Sequence, residues 1–193
     1  METLNNVLKR FKSDFRWDNF IGIYQSKSES KTLSDRNGSN AELNLLLNDI
    51  LKAKNIKAEI GLVSSRRNGR LIATYPYIRQ FNRTFNVVTI GNTNYVIDAA
   101  EFDLNQIKFP SLDLYNHYAL LLTKGAKESF VQFNQNPSQY DLRVSYNIDA
   151  DKNQINVHRQ DKMVGYFVDI DMFNTKKINE SQFIQSFTNE ILP

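Results

Sequence analysis

The 193-residue chain has two histidines, His117 and His158, and no cysteine. Without a thiol there is no disulfide, no thiolate metal site and no cysteine nucleophile. Zinc chemistry needs several ligands and hydrogen bonds that hold them, which two distant histidines do not supply. Neither a metal nor a cofactor is therefore expected. His117 lies at no motif position, and His158 falls in a strand-like run where it reads as a solvated face residue. Ser64-Ser65 stands outside any Gly-x-Ser-x-Gly context, so a serine nucleophile is not indicated. Asp149 and Asp151 lack the spacing and terminal Glu of a calcium loop and read as a hairpin turn. Carboxylate chemistry remains as an alternative. Asp98 with Glu42 or Asp35 could cleave a glycoside at a suitable separation, but nothing in the sequence brings them together.

These side chains sit on an ordinary globular composition, 41% hydrophobic and 23% charged. No apolar run approaches the roughly 20 residues that span a bilayer. The charged, amphipathic start is not a secretory signal, which fits either a cytoplasmic protein or a segment of a longer exported chain. Residues 1–70 hold 13 Lys/Arg against 8 Asp/Glu, and residues 71–193 hold 11 against 13. The basic excess is scattered apart from Arg66-Arg67 and Arg70, which read as a solvated loop rather than a phosphate-binding face. No nucleic-acid partner is expected.

Apolar spacing predicts a helix over 3–13, carried by Leu4, Val7, Leu8 and Phe11. Phe15–Tyr24 reads as extended or irregular, and 25–38 as a polar loop with room for one helical turn. The strongest helix signal covers 40–54, where Leu43, Leu46, Leu47, Ile50 and Leu51 form one stripe; Leu45 implies burial on more than one side. Gly38-Ser39-Asn40 reads as its N-cap region and Asn55 as its C-cap. Residues 57–63 read as a strand, and Phe85–Ile90 with Asn94–Asp98 as a hairpin. Residues 102–124 read as a loop with a helical turn around Tyr115–Leu122. Beyond lie a strand at 129–133, a second hairpin of 141–146 with 154–159, and a helix over Glu180–Ile191. The predicted class is α+β, with a core over 1–124 and a β-rich appendage over 125–193.

The segment Gly38-Ser39-Asn40-Ala41-Glu42-Leu43-Asn44-Leu45-Leu46-Leu47 resembles the nucleophile helix of transglutaminase-like proteins of the Bacteroidetes type, where the motif is Gly-Asn-Cys-Ala-Glu-Ile-Asn-Leu-Leu-Leu. Arg16-Trp17-Asp18-Asn19 with Gly22-Ile23-Tyr24 is similar to the family's upstream elements. Leu62-Val63-Ser64-Ser65-Arg66-Arg67-Asn68-Gly69 resembles its Leu-Leu-Ser-Thr-Arg-x-Asn-Gly turn, and Gln80-Phe81-Asn82 and Tyr95-Val96-Ile97-Asp98-Ala99 resemble two further segments. Asn156–Met172, with Gly165-Tyr166, is similar to the β-rich domain that follows this core. The family's N-terminal β domain has no counterpart, which suggests a fragment or a shortened relative.

The resemblance implies a papain-like core, a buried helix packed on an antiparallel sheet. Active members use a Cys thiolate at the helix N-terminus, a His base and an Asp that orients the His. Carried over by motif, Asn40 falls on the Cys position, Arg83 on the His position and Asp98 on the Asp position. An amide does not form an acyl intermediate, and a guanidinium does not take up a proton at working pH. The expectation is an inactive member of the family, with a guanidinium–carboxylate bridge between Arg83 and Asp98 and Asn40 hydrogen-bonded nearby. The competing arrangements have Arg83 in water with Asp98 capping a turn, or an anionic ligand at the site. Trp17, Glu42 and Asn82 are the cleft-binding candidates, against plainer readings of Trp17 as a core anchor and of Glu42 and Asn44 as capping groups. The implied role is a binding or scaffold module for a peptide, protein or carbohydrate, in the periplasm or at the cell surface.

Overall fold

The computed structural model of the chain describes residues 2–72, 74–75, 77–102, 104, 111, 113–114, 116, 118–122, 130–132 and 138–165. His117, the helix expected over Glu180–Ile191 and the last part of Asn156–Met172 lie outside them. The chain divides into two units, Met1–Gln135 and Asn136–Pro193.

In the first unit, helix α1 (Glu2–Asp14) is followed by the two-residue strand β1 (Arg16–Trp17), helix α2 (Glu29–Asp35), strand β2 (Asn37–Gly38) and helix α3 (Asn40–Ala53). Strands β3 (Lys57–Val63), β4 (Arg83–Ile90), β5 (Thr93–Ile97), β6 (Tyr118–Leu121) and β7 (Phe130–Gln132) form one antiparallel sheet in the order β5-β4-β3-β6-β7. The described residues are thus α+β, as the periodicity predicts.

The core is built where two apolar stripes meet this sheet. Leu4, Leu8 and Phe11 of α1 and Leu43, Leu47 and Leu51 of α3 cluster with Ala58, Val88, Tyr95 and Ile97 from β3, β4 and β5. Each fully buried Leu contributes about 1.5–3 kcal/mol of transfer free energy. A second cluster joins Val63, Phe85, Val87, Leu114 and Ala119. Gly61 stands opposite Phe85 in the β3–β4 register. A methyl group there would meet the Phe85 ring at 2.3 Å, so the aromatic ring lies across the strand only because the position is bare.

Both ends of α3 are closed by side-chain and backbone hydrogen bonds. Ser39 is the N-cap: its Oγ accepts from the Glu42 N–H at 3.3 Å, and Glu42 Oε2 accepts from the Ser39 N–H at 2.9 Å. This is a reciprocal capping box. Lys54 is the C-cap, and Asn55 follows it at φ 57°. The Asn55 N–H donates to Lys52 O and the Ile56 N–H to Leu51 O, both at 2.9 Å, which closes a Schellman motif. Asn55 therefore acts one position later than the C-cap expected of it.

Two expectations fail in this unit. The polar stretch 25–38 holds a seven-residue helix, α2, capped by Ser28 and burying only Thr32. So little burial leaves no apolar period to read. The helical turn expected around Tyr115–Leu122 is instead the strand β6, antiparallel to β3. Its side chains alternate, with Ala119 and Leu121 in one apolar cluster and Tyr118 and Leu120 in another. A four-residue run that packs on apolar neighbours at both faces has no visible period of two. β6 pairs with β7, so the strand read after residue 124 belongs to the sheet of the first unit, and the units divide after Gln135.

The second unit contains the hairpin of β8 (Gln139–Asp149) and β9 (Gln154–Val164), longer than the sequence reading at both ends. Its tip is a turn in which the Lys152 N–H donates to Asp149 Oδ1 at 3.2 Å and Asn153 takes φ 49°. Asp149, the last residue of β8, closes the turn and Asp151 lies within it, so this acidic pair belongs to a hairpin turn, as expected. His158 is exposed in β9 opposite Ser145. No described helix is long and apolar enough to cross a membrane.

Candidate functional site

Helix α3 has two buried faces, and the second is polar. Asn40, Asn44 and Asn48 recur every four residues, which stacks their amides on one side of the helix. They are 0%, 0% and 2% exposed. β4 extends past the last β4–β5 pair, Asn86 with Ile97, so the Thr84 backbone has no strand partner on that side. The Asn40 amide takes the place of a strand. Its Oδ1 accepts from the Thr84 N–H at 2.8 Å, and its Nδ2 donates to Thr84 O at 3.1 Å. Asn44 continues the pattern: its Nδ2 donates to Thr84 O, Asn40 O and Asp98 Oδ1, each at 2.9 Å, and its Oδ1 accepts from the Ala99 N–H and Asn86 Nδ2 at 2.9 Å. Asn48 donates to Asn86 Oδ1 at 2.8 Å. Every one of these amides is engaged, which is what burial demands of them.

Asp98, just past the end of β5, collects donors from three directions. Its Oδ1 accepts from Asn40 Nδ2 at 2.8 Å, Asn44 Nδ2 at 2.9 Å and the Ala100 N–H at 3.0 Å. Its Oδ2 accepts from Arg83 Nε at 2.7 Å. Burial pushes the carboxyl up from its ordinary value, against the charge of Arg83 and the hydrogen bonds of Ala100 and Asn44. All four neighbours have only hydrogens to offer, so the contacts themselves fit the carboxylate.

Arg83, the first residue of β4, is fully buried. It spends one nitrogen on each of three carboxylates: Nε on Asp98, Nη2 on Glu101, and Nη1 on Asp113 at 3.4 Å. Burial works to lower its pKa, but Asp98 and Glu101 raise it above the ordinary arginine value. It is a fixed cation and not a base. Asp113 also accepts from Arg67 Nη2 at 3.3 Å, so the cluster reaches the surface through a second arginine.

Asn40, Arg83 and Asp98 are thus brought together in one buried network, with Arg83 facing carboxylates rather than water. The bridge is a single hydrogen bond, not a bidentate one. Neither hydrogen-bonding edge of Asn40 is free, and its amide nitrogen has no lone pair for attack.

The other singled-out residues are occupied elsewhere. Glu42 is 3% exposed and clamps the chain before α2 to the start of α3. Its Oε1 accepts from the Ser26 N–H (2.8 Å), Ser26 Oγ (2.9 Å) and the Lys27 N–H (2.7 Å), beside the Ser39 bond to Oε2. Burial alone would raise its pKa, but the N–H groups of Ser39 and Lys27 with the hydroxyl and N–H of Ser26 hold it at about 2. Its capping role is the one the structure contains. Trp17 is half-buried against the core and donates from Nε1 to Phe20 O at 3.0 Å. Asn82 holds the turn after β3, accepting from the Ser65 N–H at 2.8 Å and donating to Ser65 Oγ at 3.2 Å. Ser64 Oγ donates to Gly69 O at 2.6 Å. Asp35 pairs with Lys31 at 2.8 Å and Lys27 at 3.8 Å. Asp98 and Glu42 share no hydrogen-bond partner among the described residues, so they do not form a carboxylate pair.

Asn48, Thr84, Asn86, Glu101 and Asp113 belong to the network and carried no sequence motif. The Asn40-Asn44-Asn48 spacing was visible in the sequence, had polar residues been admitted as core. Among the described residues, no group of three or more His, Cys, Asp or Glu is placed to hold a metal ion. The chain matches no family model, and neither a curated protein nor a solved structure matches it.

Proposed function

We propose that this chain is a transglutaminase-like domain of papain type that has lost its thiol chemistry and serves as a binding or scaffold module. The observation that carries the reading is the Asn40–Asp98–Arg83 cluster: a helix N-terminus, the start of one strand and the end of its antiparallel neighbour converge within 2.8 Å and 2.7 Å contacts. A thiolate, an imidazole and a carboxylate would need this convergence. Here the first two positions hold an amide and a permanent cation, and the third is saturated by four donors. Losing either nucleophile or base costs orders of magnitude in rate, and losing both leaves the mechanism nothing to use. What remains is a rigid frame. Several loops are tied to it by buried hydrogen bonds, which suits presentation of a surface to a partner.

The test is turnover by the full chain on a panel of peptide amides, esters and glycosides. The reading expects no turnover beyond that of the Asp98→Asn variant. Turnover that Asp98→Asn abolishes would overturn it in favour of a carboxylate hydrolase.

A further inference from the structure

Water-exposed rings on a rigid backbone mark the surface beside this cluster. Phe20 is 64% exposed, yet its backbone is fixed: the carbonyl accepts from the Asn40 N–H at 2.9 Å and Trp17 Nε1 at 3.0 Å, and its N–H donates to Asp18 Oδ1 at 2.8 Å. Two residues on, the Gly22 carbonyl accepts from Thr84 Oγ1 at 3.3 Å. The described residues between 71 and 81 are fastened in the same manner. Gln80 accepts from the Ile72 N–H at 2.9 Å and donates to the Tyr75 carbonyl, while Asn68 donates to Gln80 O at 3.0 Å. The two loops come together at the apolar cluster of Leu62, Leu71 and Phe81, against which Ile23 packs. They carry Phe20, Tyr24, Ile72, Tyr75, Tyr77 and Ile78, each 42–68% exposed. Only Leu33 and Leu122 are comparable among the other described residues of the first unit. The rings of Tyr75 and Tyr77 stand 6.1 Å apart.

The charge on the second of these loops and the turn before it has one sign. Residues 64–82 contain four arginines and no Asp or Glu. Arg67 is paired with Asp113, while Arg70 and Arg79 are exposed and have no ion pair among the described residues. Large apolar side chains held on fixed backbones lose little entropy when covered, and Tyr and Arg are, with Trp, the residues enriched at binding hot spots.

We propose that the paired loops 20–24 and 71–81 dock an acidic polypeptide segment, whose apolar side chains cover the tyrosines and isoleucines while its carboxylates meet Arg70 and Arg79. This rests on the binding-module reading and gives its partner a chemistry. The exposed aliphatic Ile72 and Ile78, which flank the tyrosines in the chain, favour a polypeptide over a glycan or a nucleic acid, which stack on rings and offer little to cover a branched aliphatic chain.

Selection of phage-displayed random dodecapeptides on the immobilised full chain tests this, with the recovered peptides then synthesised and titrated. The expected peptides place Asp or Glu around Leu, Phe or Tyr. They bind about tenfold or more weakly to Tyr75→Ser, Tyr77→Ser and Arg79→Glu, and equally well to Leu33→Ser on α2. Recovered peptides without acidic residues overturn the proposal. So does binding that the three substitutions leave unchanged, although the binding-module reading then survives with a different surface. Recovery of no peptide overturns the docking proposal, whereas the inactive-domain reading falls only to turnover. Tighter, substitution-sensitive binding of a sulfated oligosaccharide or of oligo(dT) overturns the polypeptide occupant.

Discussion

Arg83 Nε lies 2.7 Å from Asp98 Oδ2, with the arginine side chain 0% and the aspartate 3% exposed. Two charges taken this far from water are kept only because each is met on several sides. Asp98 has four donors, and Arg83 has three carboxylates. The pair therefore behaves as the centre of a network and not as an isolated bridge.

Removing the cation should be the most damaging change in the cluster. Arg83→Met leaves Asp98, Glu101 and Asp113 directed at one another with nothing between them. The expected loss is about 3–5 kcal/mol, the cost of stranding a buried charge. Asp98→Asn should cost less, because Arg83 retains Glu101 and Asp113. Urea denaturation of both variants checks the order. A loss under about 1 kcal/mol for Arg83→Met would show the pair behaving as a surface bridge.

Asn40 tests whether the amide is structural in its own right. Asn40→Ala strands the Thr84 N–H, while the Thr84 carbonyl keeps the Asn44 amide, and the expected cost is about 1–3 kcal/mol for the unsatisfied donor. Asn40→Asp should behave differently with pH. It sets a second carboxylate against Asp98 Oδ1, now 2.8 Å from Asn40 Nδ2, and like charges at that distance raise the pKa of the pair in the folded state. A raised folded-state pKa means stability that is present at low pH and lost as pH rises. The melting temperature of Asn40→Asp should therefore climb relative to the parent on going from neutral pH to about pH 5. A constant difference between the two proteins across that range would show that the carboxylates do not interact.

Glu42 predicts the opposite sign. Its folded pKa is about 2 against an ordinary value of 4.5, so the carboxylate's contribution is present above the ordinary value. It is lost as pH falls through the window between them. At 1.36 kcal/mol per pKa unit this is on the order of 3 kcal/mol. Glu42→Gln should flatten the acid limb of a stability–pH curve and speed amide exchange at Ser26, Lys27 and Ser39, because one neutral amide oxygen replaces the two carboxylate oxygens that hold their N–H groups. An unchanged acid limb in the variant would place the acid sensitivity elsewhere.

The elements that carry this cluster were legible where apolar residues keep time. The leucines of α3 announce themselves by period, and the β4–β5 hairpin by two β-rich runs joined at Gly91-Asn92-Thr93. The capping box was visible as Ser39 followed by Glu42. What the sequence hid has two causes. The buried asparagine stripe is polar, and a search for apolar periodicity passes over Asn44 and Asn48 even at helical spacing. Glu101 and Asp113 reach Arg83 across 18 and 30 residues, and a long-range ion pair leaves no local signature. Asp113 also lies in a stretch read as loop, so only the folded chain assigns it a partner. β6 was hidden for a third reason, because apolar packing at both faces erases the alternation that marks a strand.

The last prediction concerns how the sheet makes room for the cluster. Phe85 follows Arg83 by two residues on β4 and packs with Leu114, the neighbour of Asp113. Gly61 allows the Phe85 ring its place, since a Cβ at 61 would sit 2.3 Å from that ring. Gly61→Ala must then push the ring aside, and the strain expected for such overpacking is about 1–3 kcal/mol. The displaced ring would also disturb Leu114, and through it the Asp113 carboxylate that faces Arg83. Trimming the ring should relieve both effects, so Gly61→Ala with Phe85→Leu is expected to melt higher than Gly61→Ala alone. Thermal denaturation of the two variants decides it. If Gly61→Ala melts with the parent, the strand has shifted to accommodate the methyl group, and the ring does not depend on a bare position at 61.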